Sequence, residues 1–172
     1  VVAGDLLLVG DGDPTFGGGH PSRAMTVFAP MVDALQRLGI VSVKGRVLGV
    51  DDCQSDERLG RGWQWDYLQD DYAAQFSGLN FAENVTHVYV CGNSQGLRPV
   101  LRFEPMARYA QLRCEVVCGP KDGEWTAAIE RSPIGNMLTL RGAIPADARE
   151  RDYAIAVDNP TRYAAQALAA AL

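Results

Sequence analysis

The stretch "DLLLVGDGDPTFGGGHPSRAMTVFAPMVDALQRLGIVSVKGRVLGVDD", residues 5–52, decides the fold. It opens with an apolar run, residues 5–9, of the kind that forms a buried strand. "GDGDPTFGGGHPS" follows, a loop dense in glycine and proline. Over 23–38 the apolar residues Met25, Val27, Phe28, Met31, Val32, Leu35 and Leu38 recur at helical spacing. Ser22 fits the N-cap of that helix and Gly39 its C-terminal stop. "IVSVKGRVLGVDD" is then a β run, interrupted at Lys44-Gly45. Strand, helix, strand is an α/β unit.

Beyond residue 84 the pattern changes. "VTHVYV", "PVLRFE", "QLRCEVV", "WTAAIERS", "MLTLRGAI" and "YAIAV" alternate in polarity, with turn signals "CGNSQG", "GPKDGE" and "SPIGN" between them. This predicts short antiparallel strands joined by hairpins. "NPTRYAAQALAAAL" closes as a helix, capped by Asp158 or Asn159 and with Pro160 in its first turn. The expected fold class is therefore α/β (α+β): a small α/β portion, residues 1–83 and 154–172, containing an inserted antiparallel β portion, residues 84–153.

Of the 172 residues, 47% are hydrophobic and 22% charged, an ordinary globular composition. Net charge is −5 with no basic stripe, which argues against nucleic acid as a partner. No apolar run approaches the roughly 20 residues that span a bilayer. The chain opens on "VVAGDLLLVG", inside a strand-like run without an initiating Met, and a piece of a longer protein is expected. None of the four cysteines, Cys53, Cys91, Cys114 and Cys118, forms a CxxC pair, so no zinc site is expected. Buried thiols, or a disulfide from Cys91 to Cys114 or Cys118, both remain open.

The glycine loop invites a phosphate reading and does not support it. Thr15 stands where G-x-G-x-x-G requires its third glycine, and G-x-x-x-x-G-K-[ST] is absent. Asp11 and Asp13 would repel a pyrophosphate, and Pro14 removes a backbone donor. His20 and His87 have no second partner nearby in sequence and read as surface or core residues. Asp51, Asp52, Asp56 and Glu57 follow a strand and read as a solvated loop rather than as catalytic acids. Ser77, in "FSGLN", lacks the G-x-S-x-G elbow of a nucleophile and is expected to serve a turn.

Read in order, "GDLLLVGDGDPTF", "LQRLGIVSVKGRVLGVDD", "GWQWDYLQDDYAAQFSGLNFAENV", "RSPIGNMLTLRGAIP" and "AVDNPTRYAAQAL" resemble one family. It is that of the low-molecular-mass penicillin-binding proteins of the D-alanyl-D-alanine carboxypeptidase/endopeptidase type, the DacB-like S13 peptidases. The resemblance covers almost the whole chain. It implies a β-lactamase-like catalytic domain whose serine sits in S-x-x-K, supported by S-x-N and K-T-G. That serine attacks the penultimate D-Ala carbonyl, D-Ala leaves, and water hydrolyses the acyl-enzyme; penicillins acylate the same serine. It also implies that the stretches matched here belong to domains inserted between S-x-x-K and S-x-N. Consistent with that, no serine of this chain begins S-x-x-K or S-x-N, and the two lysines read "KGR" and "KDG".

The resemblance thus implies the non-catalytic insertion domains of a penicillin-binding protein, inactive alone, with no catalytic residue, metal or cofactor. The parent protein would act on peptidoglycan stem peptides, through a catalytic domain not in this sequence, in the bacterial periplasm or cell envelope. It further implies that Trp63, Asp66 and Tyr72 line the substrate side of the active site. A diaminopimelate-type side chain offers an aliphatic stem for aromatic faces and an ammonium for an aspartate. Many members read W-D-D-L and Y-A-A-P, where this chain has Tyr67 and Gln75. The plainer alternative is that the tryptophans pack a domain junction and the aspartates are solvated. Two other functional classes stay open: a non-catalytic module binding peptidoglycan or a partner, and an unrelated nucleotide-binding domain built on the glycine loop.

Overall fold

The computed structural model describes residues 1–105 and 109–172. The fold is mixed α/β, with few helices and several small sheets. β1 (Leu6–Val9) and β2 (Val47–Val50) pair in parallel, joined by the expected helical crossover. That crossover is not one helix. A 3₁₀ helix, Pro21–Phe28, gives way to α1, Ala29–Arg37. Pro30 explains the break: it has no N–H to donate to the preceding turn, so the α-helical ladder starts afresh with proline in its first turn. The cap also differs from expectation. His20, not Ser22, is the N-cap: its imidazole Nδ1 accepts the Ser22 N–H at 3.3 Å, and Ser22 lies inside the first turn. Gly39 does end the helix, at φ +72°, a conformation glycine adopts without strain.

The β portion carries the expected strands: β3 (Val85–Cys91), β4 (Val100–Glu104), β5 (Gln111–Cys114), β6 (Cys118–Gly119), β7 (Ala128–Arg131), β8 (Met137–Arg141), β9 (Ile144–Pro145) and β10 (Arg151–Ala156). β3–β4 and β7–β8 are antiparallel hairpins, and β10 lies antiparallel on β3. Two pairings correct the expectation of hairpins throughout: β5 lies parallel to β8, and β6 parallel to β9. Alternation says which side chains face inward. It says nothing about strand direction, so it does not reveal that β5 and β6 run parallel to β8 and β9.

Two apolar clusters result. One gathers Leu8, Phe28, Leu79, Phe81, Tyr163 and Leu168 beneath α2 (Pro160–Ala171). Asn159 caps α2, its side chain accepting the Arg162 N–H at 3.0 Å. α2 lies so close on β2 that a Cβ at Gly49 would stand 2.6 Å from the Thr161 carbonyl oxygen. The other cluster gathers Val88, Val90, Ile129, Leu138, Leu140 and Ile144 among the β strands. Cys118 is buried in it and Cys114 packs against it. All four cysteines are free thiols. Among the described residues no helix is long and apolar enough to cross a membrane.

The chain enters β3 through a left-handed turn, Ala82, Glu83 and Asn84, with φ of +50°, +56° and +58°. Each such non-glycine residue costs about 1–2 kcal/mol. The Asn84 side chain offsets this. Its oxygen accepts the Phe81 N–H at 3.1 Å, and its amide donates to the Gln75 carbonyl at 2.8 Å. Among the described residues the exposed Glu83 side chain has only a long bond, from Gly19 N–H at 3.4 Å. Glu83→Gly is therefore expected to stabilise the chain by about 1 kcal/mol. The check is a higher urea midpoint at unchanged slope.

Candidate functional site

Residues 62–76 form no long helix or strand. Gly62, at φ +87°, turns the chain into a short 3₁₀ turn, Trp65–Tyr67, and a second follows at Asp71–Ala73. The Tyr67 hydroxyl donates back to the Gly62 carbonyl at 3.0 Å, closing the first turn on itself. The Tyr67 and Tyr72 rings pack at 5.8 Å. The Tyr72 hydroxyl donates to Asp70 Oδ2 at 2.6 Å. That hydrogen bond, with partial burial and the negative charge of Asp70 and Asp66, pushes the Tyr72 hydroxyl up to about 12. Tyr72 is therefore a neutral donor at any physiological pH.

These contacts sort the three expected residues. Asp66 and Tyr72 lie on one acidic, aromatic ridge with Tyr67 and Asp70. Trp63 is half-buried, its ring edge-on to Phe76 at 6.4 Å. Its neighbour Trp65 is 80% exposed and Tyr72 71% exposed. Trp65 was not singled out from the sequence. Two tryptophans separated by one residue cannot be told apart there, because a short 3₁₀ turn fits neither the helical nor the strand period.

The ridge is irregular but firmly mounted. Asp70 forms a β-bridge to Ile155, and Ala156 N–H donates to the Gln69 carbonyl at 2.8 Å. Residues 69–70 thus sit along β10. Arg131 at the end of β7 reaches the same place: Nη2 donates to the Leu68 carbonyl at 2.7 Å, and its backbone N–H to Gln69 Oε1 at 2.9 Å. Further along, Gln75 donates to Asp158 Oδ1 at 2.9 Å and accepts the Asn159 N–H at 3.0 Å. Asp158 is itself a junction. Its Oδ2 accepts the Gly135 N–H at 3.0 Å, and its backbone N–H donates to Asn136 Oδ1 at 2.8 Å. The Tyr109 hydroxyl donates to its carbonyl at 2.7 Å, and burial pushes that hydroxyl up to about 12. Gln75, the departure noted in the sequence, is thus a tether joining the ridge to the start of α2.

The sequence held one signal for Arg131. In "AAIERS" it falls on the same alternating side as Ile129, the buried side. A charged residue at an inward position calls for partners.

The remaining candidates have structural partners. Ser77 is 3% exposed; its hydroxyl donates to the Leu79 carbonyl at 2.6 Å and accepts the Leu79 N–H at 3.1 Å. That hydroxyl holds the turn into the following segment and is closed to substrate. Asp51 is not simply solvated. It accepts the Thr161 hydroxyl at the first turn of α2 and lies 3.9 Å from the Arg58 guanidinium. In the glycine loop, Asp13 accepts the Thr15 N–H and hydroxyl at 2.8 and 2.7 Å, which holds its carboxyl below the usual range. His87 pairs with Asp152 at 3.0 Å. Among the described residues no group of three or more His, Cys, Asp or Glu side chains is arranged to hold a metal ion.

Exposed aromatic faces and carboxylates on a fixed mount suit a cationic group on an aliphatic stem. Among the described residues no nucleophile and base converge there.

Comparison with known proteins agrees in outline. A D-alanyl-D-alanine carboxypeptidase of Actinomadura sp. is 30% identical over 167 residues, 93% of this chain and 30% of that protein. The crystal structure of penicillin binding protein 4 (dacB) from Haemophilus influenzae superposes with a TM-score of 0.72 at 16% identity. That match covers 97% of this chain and 36% of the other. The same protein complexed with a novel beta-lactam gives a TM-score of 0.58 at 14% identity, covering 97% and 33%. At such identities the likeness shows the fold. The chain spans about a third of the length of these relatives. The model of the D-Ala-D-Ala carboxypeptidase 3 (S13) family matches residues 1–172, end to end, and the chain belongs to that family.

Proposed function

We propose that these residues are part of a serine-type D-alanyl-D-alanine carboxypeptidase/endopeptidase that hydrolyses peptidoglycan stem peptides and binds penicillin in the bacterial cell envelope. The observation that carries this reading is the family match over the whole chain. In this reading the catalytic serine and its partners lie in another part of the protein, since S-x-x-K, S-x-N and K-T-G are absent here. Residues 1–83 with 154–172, and residues 84–153, are two insertion domains, each supplying most of one of the two apolar clusters. The ridge forms the rim of the substrate site. Asp66 meets the ammonium of the stem-peptide side chain, while Tyr72 and Trp63 shape the surface against which its aliphatic part lies.

Acyl transfer needs a nucleophile, a base and oxyanion donors within hydrogen-bond reach of one point. The 172-residue chain is therefore expected to remain unlabelled by a fluorescent penicillin, while the full-length protein carrying it is labelled at one serine outside these residues. Labelling of the isolated chain would overturn its assignment as non-catalytic. Absence of labelling in the full-length protein would favour a peptidoglycan- or partner-binding module, which a pulldown with intact sacculi would then reveal.

A further inference from the structure

We infer that Arg131 is the positioning residue of the ridge: from the β portion it fixes where residues 66–72 stand. The inference rests on the proposed substrate-rim reading for its functional consequence and on geometry for its mechanical part.

Arg131 is only 9% exposed. Among the described residues its guanidinium makes no hydrogen bond to a carboxylate. It donates to three backbone carbonyls on two separate segments: Leu68 at 2.7 Å on one side, Gly135 at 3.0 Å and Ser132 at 3.3 Å on the other. Its Nε is buried without a protein partner among the described residues. Burial lowers its pKa from the usual value, an effect offset in part by the charge of Asp158. Such a placement is costly, and an apolar side chain of similar volume would fill the space more cheaply. What only arginine supplies is a planar fork whose two ends reach acceptors on different segments at once. The fork ties the base of the ridge to the β7–β8 turn. The Arg131 backbone N–H adds a second tie through Gln69, whose own carbonyl holds Ala156 of β10. Ridge, hairpin turn and β10 are thereby locked in one register. Arg131 itself touches neither Asp66 nor Tyr72 in any hydrogen bond, so it acts on the ridge through the backbone of residues 68–69.

The test uses the full-length protein with Arg131→Met, which keeps volume and removes the fork, and Arg131→Lys, which keeps charge but presents a single point. Hydrogen exchange is followed in peptides covering 66–72 and 151–157, with α2 as the control for global folding. In parallel, kcat/KM is measured for D-Ala-D-Ala peptides with an ammonium-bearing or an uncharged side chain. Exchange over 66–72 and at Ala156 is expected to rise roughly tenfold, the loss of about one charge-assisted hydrogen bond, while α2 stays protected. The ratio of the two kcat/KM values is expected to fall roughly tenfold as the ridge loses its position. Should Arg131→Met fail to fold, Arg131→Lys carries the same expectation. Wild-type exchange in a folded variant overturns the inference. Faster exchange with an unchanged ratio upholds Arg131 as the positioning residue and instead overturns the contact between ridge and substrate.

Discussion

Asp66→Ala, in the full-length protein, is expected to lower kcat/KM for ammonium-bearing stem peptides while leaving uncharged analogues unaffected. Asp66 carries the side chain whose job, in the proposed reading, is to meet that ammonium. A hydrogen bond to a charged group contributes about 1.5–3 kcal/mol. Since about 1.4 kcal/mol is tenfold, discrimination should fall roughly tenfold to a hundredfold. Asp66→Asn keeps shape and removes charge, and should behave almost as badly if charge is what matters. Tyr72 cannot replace it: its hydroxyl is committed to Asp70 and stays neutral. Unchanged discrimination in both variants would assign Asp66 to solvated surface and leave the ridge as packing.

Phe81→Ala is expected to be the most damaging single core change, costing about 3–5 kcal/mol. Phe81 is fully buried and central to a row of rings. It packs at 5.1 Å from Phe28 and 5.2 Å from Tyr163, and Phe16 closes on it at 6.3 Å. Tyr163 is pinned beneath α2, its hydroxyl donating to the Val85 carbonyl at 3.2 Å, so it cannot move to fill a void. Whole domains are stable by only about 5–15 kcal/mol. The variant should therefore unfold at a much lower urea concentration, or fail to accumulate at all. A midpoint within the error of wild type would mean that the row of rings does not carry this core.

Much of this fold could be read from the chain. Where one rule acted alone, it held. "VTHVYV" alternates and is β3; "PTRYAAQAL" is helical and is α2, capped by the asparagine that precedes its proline. Where two rules competed, periodicity alone misled. The apolar spacing over 23–38 ignores that Pro30 interrupts the hydrogen-bond ladder. The alternation in "QLRCEVV" is blind to the parallel partner 26 residues on. The candidate site was legible as chemistry but not as geometry. Composition picked out an acidic and aromatic stretch. Which tryptophan faces solvent depends on Phe76, and what holds the ridge depends on Arg131, Gln75 and Asp158, residues gathered only by the fold.

The mounting of the ridge also dictates when it forms. Gln75 finds its partners 83 and 84 residues further along the chain. Contacts so distant in sequence must wait until the intervening segment has closed a large loop. During synthesis, at about 5–20 residues per second, that wait is roughly 4–17 seconds. Over that interval residues 68–75 lack the partners at 131, 156, 158 and 159 that hold them in the folded chain. The ridge therefore takes its place late, in the same stage as α2, whose residues 163–168 complete the first apolar cluster.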